Sequence, residues 1–531
     1  MSTTITRAHK AWCANRLTLC LCVIALLVVP GFPASLYKIA PNVPQESEAE
    51  THLDQGLALA KLGNLASAEA ELRKAVALAP ANADYLDDLA TILAMEKKFD
   101  ESNSYFQHAL KIDPRDMAAR RYLAANLWQT GRYTEARQNL QILLKANPSD
   151  AQALLLLGMV AENTRDYSTA ARALASVPSL VRARPESIAA LARSYYYLGE
   201  RSKACAWLDE LQNHAAGVRA VLLGAQIADE MKDYKTAERL LSSAMPHYSD
   251  QTELRYRLAL VKFHAQQFDE SEQILEQMRN DGYMTSEIDH LLALCFQKQE
   301  RYEEAIHALQ EAMQLDPGNE ASYLDLVGIL LTQKQIPPAI ELAQHMAKVF
   351  PDSCPVFVSK GKIELAASDY TGAVASFTRA SQLDSTSLEA SLGLARAQSN
   401  AGMTVQAKST LIDAIARFSK KAPFELELGQ LLLREADAGD KGAEVKAEQL
   451  FDAAVSHDSK LAKAYYELGG LALRRGEAGR AATLLEKAEK LDPLSAKTHF
   501  ALSRAYRRLG REQEAAQQVA LFDKLKNRSA E

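Results

Sequence analysis

The chain has 531 residues, 48% of them hydrophobic, 24% charged and 7% aromatic, with a net charge of −6 and a pI near 6.1. That length exceeds a single compact core, the composition excludes a disordered chain, and the acidic balance excludes a nucleic-acid binder working through a basic footprint. Alanine and leucine, which enter helices at little cost, dominate the sequence and predict an all-α protein.

At the N-terminus, Arg7, Lys10 and Arg16 precede an unbroken apolar run from Leu17 to Val29, which Pro30, Gly31 and Pro33 then interrupt. Residues 1–35 read as a signal peptide, or as a signal anchor if the bulky Phe32 before Ala34 blocks cleavage. The run falls short of the roughly 20 residues of a spanning helix. Both readings place the rest of the chain outside the cytoplasm: periplasmic or secreted after cleavage, membrane-anchored without it. Any membrane contact is expected only through this segment. Residues 36–48, containing PNVPQES, read as a linker.

Prolines then set a rhythm. Pro80, Pro114 and Pro148 are 34 residues apart, Pro317 and Pro351 repeat the interval, and Ser385 comes next at the same spacing. A fixed period in this range marks stacked supersecondary units. In the segment ending at Pro493, Leu468-Gly469 lie in one predicted helix and Gly476 breaks it. Ala481, Leu485 and Ala488 then line a second helix before the Asp-Pro stop. Small residues allow paired helices to approach, larger ones fill the space between units, and proline prevents continuation. The run LALCFQKQERYEEAIHALQEAMQLDP, ending at Pro317, carries Leu292-Ala293, Tyr302 at the turn, and Ala305 and Ala312 at close-packing positions.

On these residues the chain resembles the tetratricopeptide repeat family, of an exported or membrane-anchored bacterial type. The resemblance implies a right-handed superhelical solenoid of about 14 helix-turn-helix repeats. Regular repeats are expected over 49–150, degenerate ones over 151–285, and further repeats over 286–421. A repeat over 422–461 carries an insertion near Ala436 to Glu444 that lengthens its inter-helix turn, and C-terminal repeats with a cap fill 462–531.

The sequence contains no phosphate-binding loop, HExxH helix or GxSxG elbow, so no catalytic residue, cofactor or metal is expected. Cys13, Cys20 and Cys22 lie in the leader. Cys205, Cys295 and Cys354 are two or three repeats apart, and because solenoid repeats touch only their neighbours, all three are expected as thiols.

The resemblance also implies that the first helix of each repeat lines a concave groove for peptide segments. Those positions are acidic at the start (Glu50, Asp84, Asp87, Asp88) and largely apolar in the middle (Leu155, Met159, Leu324, Leu331, Val358, Leu365). They become basic and aromatic at the end: Lys463, Tyr466, Arg474, Lys497, Phe500, Arg504, Arg507 and Arg508. Leu53 with Leu57, and Asp87 with Thr91, stand where chaperone-binding members place a Lys and an Asn, so that carboxylate clamp is not expected. The basic end either holds an acidic partner segment or solubilises the last repeat. The expected function is a non-catalytic protein-binding scaffold, with no nucleic-acid partner. Alternatives are an anchored accessory for envelope assembly or secretion, and an enzyme site in the central repeats around Tyr195-Tyr196-Tyr197.

Overall fold

The computed structural model describes residues 44–212 and 214–528. The leader and most of the linker lie outside the described residues. The linker ends earlier than expected, because the helix Pro44–Lys61 already begins at Pro44; proline is tolerated in a helix's first turn, where its missing N–H has no partner to lose. The described residues form 29 α-helices and one short 3₁₀ turn, with no strand among them.

They fall into two units, the first ending at Met284 and the second beginning at Thr285. The first runs from the pair Pro44–Lys61 and Leu65–Leu78 to the pair Thr252–His264 and Phe268–Asn280. The second runs from Ser286–Lys298 and Tyr302–Leu315 to Ala496–Arg508 and Glu512–Arg528. Each holds seven helix pairs, so the described residues reach the 14 repeats expected.

One position in every second helix shows why the period is kept. Ala68, Ser102, Ala136, Ala170, Ala204, Ala237 and Ser271 occupy it in the first unit. Ala305, Ala339, Ala373, Ala407, Ala447, Ala481 and Ala515 occupy it in the second. All are buried to within 1% of complete, because the paired helix leaves no room for a larger side chain. The two serines direct their hydroxyls into that helix: Ser102 Oγ donates to the Ala90 carbonyl at 2.6 Å and Ser271 Oγ to Ala259 at 2.8 Å. Caps keep the same beat. Asn82, Asp116 and Asp150, and later Thr285, Asn319, Ser353 and Ser387, each accept a backbone N–H from the first turn of the next helix, satisfying donors that have no partner inside it.

The central stretch holds phase better than its sequence suggests. Its irregularities are an extra helix, Pro178–Arg182, and second helices shortened to nine residues, Tyr167–Ala175 and Arg201–Asp209. Pro178 takes the first position of that extra helix, where it fits. The insertion near Ala436 does not lengthen the turn. Only Ala438, Gly439 and Asp440 separate Ala422–Asp437 from Lys441–His457, and the added residues extend both helices, to 16 and 17 residues. Adding close to one helical turn to each member of a pair keeps its packing face in register.

Candidate interaction groove

Within each unit the first helices of successive repeats touch each other, whereas second helices chiefly meet first helices. First helices therefore crowd the inner side of each stack, and their exposed residues line it. Polar pairs cross from one first helix to the next along this side. Arg193 reaches Glu162 at 2.6 Å and His264 reaches Asp229 at 2.8 Å in the first unit. In the second, His290 meets Asp325 at 2.7 Å and Gln430 donates to Glu467 at 2.8 Å. Such bonds fix the rise between repeats and leave those charges answered internally.

The two ends differ. Asp84, Asp87 and Asp88 share the helix Ala83–Met95, and among the described residues no cation pairs with them. Asp87 Oδ1 is buried without a hydrogen-bond partner. Burial, then the neighbouring Asp116, Asp88 and Asp84, push its carboxyl up to about 8. Burial and Asp84 push Asp88 up to about 6. Asp87 therefore keeps its proton near neutral pH, and this end of the groove carries less charge than three aspartates suggest.

At the C-terminal end the eight residues read from the sequence divide by what they touch. Arg474 is held by Asp437 at 2.6 Å, and Arg508 donates to the Leu473 carbonyl, closing the last turn of Ala462–Arg474. These two serve the fold. Lys463, Lys497, Arg504 and Arg507 are exposed, and none forms an ion pair among the described residues. Tyr466 is half-buried beside them; burial and Glu467 raise its pKa while Arg504 lowers it. Phe500 is 47% exposed, its ring 5.2 Å from that of Phe522.

The apolar middle is narrower than expected. Leu155 and Val358 are buried in the cores of their own units, because there the helix face turns inward. Met159, Leu324, Leu331 and Leu365 remain half-exposed.

A polar cluster escaped the sequence reading. The Asp233 carboxylate, 3% exposed, accepts from Tyr196 Oη and Arg201 Nε, both at 2.9 Å, while Cys205 Sγ lies 3.4 Å away and 3.3 Å from Thr236 Oγ1. These donors hold Asp233 well below the usual carboxylate range against the opposing effect of burial. The cluster borders an open cavity of about 710 Å³ rimmed by Arg201, Lys232 and Lys235. Asp233 also caps Tyr234–Ala244, so the arrangement locks one repeat to the next. The spacing between Tyr196 and Asp233 spans a repeat boundary, which is why no local motif reveals it. Cys205, Cys295 and Cys354 are all thiols.

Family models described as tetratricopeptide repeat match residues 53–117, 122–188, 230–295, 296–357, 364–424 and 466–523. The chain belongs to the tetratricopeptide repeat family. Among curated proteins, this tetratricopeptide repeat chain is 28% identical over 199 residues to human protein O-mannosyl-transferase TMTC1, a match covering 36% of this chain and 22% of that protein. Among solved structures it is similar to yeast Tom70, with 16% identity, a TM-score of 0.42, and 84% and 91% of the two chains covered. It is also similar to a tetratricopeptide repeat protein from Parabacteroides merdae, with 18% identity, a TM-score of 0.30, and 54% and 99% covered. No helix among the described residues is long and apolar enough to cross a membrane.

Proposed function

We propose that this tetratricopeptide repeat chain is a non-catalytic scaffold that holds segments of partner proteins along the inner faces of its two stacks, and takes an acidic segment at its C-terminal end. One observation carries the reading. Lys463, Lys497, Arg504 and Arg507 stand exposed and unpaired where the nearby Arg474, Arg475, Arg480 and Arg511 are neutralised by the chain's own carboxylates. Unpaired arginines beside Tyr466 and Phe500 offer bidentate contact to carboxylates and stacking surface for apolar neighbours.

The leader supports work outside the cytoplasm, in the periplasm or as a secreted protein of a bacterium. The apolar run from Leu17 to Val29 favours a second reading, an anchored accessory of envelope assembly or secretion; membrane fractionation of the full chain separates the two. The match to the human relative spans about a fifth of that protein.

Fluorescence anisotropy with a labelled glutamate-rich peptide tests the groove. Binding is expected to weaken with salt and to fall at least about tenfold in R504E/R507E, while R474A, whose arginine is already paired, changes it little. Equal binding by wild type and R504E/R507E would overturn the acidic-segment reading.

A further inference from the structure

We propose that residues 286–383, the first three repeats of the second unit, open locally before the remaining four, because the turns inside those repeats are strained. All seven turns between paired helices in this unit hold one residue in the left-handed region. In the first three these are Glu300, Lys334 and Ser368, at φ of 61°, 55° and 62°. In the last four they are Gly402, Gly439, Gly476 and Gly510, at 77°, 117°, 81° and 74°.

The hydrogen bonds of these turns match, so the side chain is the variable. Lys334 N donates to Leu331 O at 3.2 Å and Ser368 N to Leu365 O at 3.1 Å, as Gly402 N does to Ser399 O and Gly476 N to Leu473 O, both at 3.2 Å. The next amide closes the helix in each case: Gln335 to Leu330 and Asp369 to Glu364 at 2.8 Å, like Met403 to Gln398 at 2.8 Å and Glu477 to Ala472 at 2.9 Å. This is the helix-ending motif that favours glycine, since a Cβ at that residue crowds the next carbonyl.

Stacked repeats contribute to stability one by one and through their neighbours, so adjacent strained repeats form a weak block instead of sharing their cost with the whole array. Such blocks open as units below the global unfolding free energy. The half-exposed Leu324, Leu331 and Leu365 lie in this block. A partner segment held over them would bind only the closed form and suppress the opening by mass action. That last step rests on the groove reading; the opening itself does not, and it is measured without a partner.

Hydrogen exchange read by mass spectrometry on the full chain tests it. Amides in Glu320–Thr332 and Cys354–Ala366 are expected to exchange about tenfold faster than those in Leu388–Asn400 and Ala462–Arg474, after correction for intrinsic rates. The variant E300G/K334G/S368G should slow exchange in the first group about fivefold or more, and G476A should speed it in Ala462–Arg474. Equal exchange in the two groups of the wild type, or a difference that survives in the triple-glycine variant, would overturn the proposal.

Discussion

The ring of Phe377 is clasped between Gly361 and Gly393: a Cβ on Gly361 would lie 2.7 Å from its Cε2, and one on Gly393 would press the opposite edge more closely still. Gly361 belongs to the helix paired with that of Phe377, and Gly393 to the first helix of the next repeat. One side chain, 1% exposed, thus joins two repeats and requires glycine on both sides. Alanine in a helix interior gains about 1 kcal/mol over glycine, but overpacking around an immobile ring costs about 1–3 kcal/mol. G393A is therefore expected to lower stability in urea unfolding, and F377L added to it should recover part of the loss.

Gly470 supplies the opposite case. It lies mid-helix in Ala462–Arg474, and a Cβ there would meet nothing within 4 Å. G470A should raise stability by about 0.5–1 kcal/mol, through helix propensity and a less free unfolded chain. A loss measured for G470A would show that the space is filled.

Lys262 is a buried cation of the first unit, its side chain 8% exposed, with Glu238 at 2.6 Å and Glu270 at 2.7 Å. Breaking a buried pair costs most when the remaining charge is trapped in the interior. Here both glutamates are about half exposed, at 40% and 52%, and can rehydrate. K262M, which keeps the stem packed, is expected within about 1 kcal/mol of wild type. K262A also removes that stem and should cost about 2–3 kcal/mol. Thermal unfolding of the two variants gives the order; equal losses would mean that the charge, not the packing, matters here.

The fold was legible because its signals are local and recur. Pro80, Pro114 and Pro148 stop helices, and Ala305, Ala481 and their counterparts must be small wherever paired helices meet. The position of the extra residues near Ala436 was not legible, since alanine, glutamate and lysine extend a helix as readily as they come after one. At the groove, periodicity identified the face, and Lys463, Lys497, Arg504 and Arg507 are exposed there. It could not reveal that Arg474 is engaged by Asp437 or that Leu155 and Val358 turn inward. Those facts depend on the rotation of one repeat against the next, which no single-repeat pattern encodes. The turn residues Glu300, Lys334 and Ser368 were missed for a related reason: glycine holds that position in only seven of the fourteen repeats, with Lys97, Arg165, Lys232 and Gln266 holding it in the first unit, and nothing in a lone lysine or serine announces a left-handed backbone.

Asp87 predicts an unusual pH dependence. Its carboxyl, at an ordinary 3.8 when unfolded, rises to about 8 in the folded chain through burial and the facing Asp116, Asp88 and Asp84. Tyr122 also faces it and is raised by burial and by Asp87, with Arg121 opposing. Between about pH 4 and 8 the folded state keeps a proton that the unfolded state has lost, so this group makes stability fall as pH rises, and the slope ends above about 8. Asparagine at this position preserves shape and carries no charge. Measured against D87N, wild type should therefore lose at least about 2 kcal/mol of urea stability between pH 5 and pH 9. Taking the difference cancels groups common to both proteins, such as Glu69, whose carboxyl is held near 2 by Lys98. Parallel profiles for the two proteins would show that Asp87 titrates as an ordinary surface carboxylate, ionised in the folded chain at neutral pH.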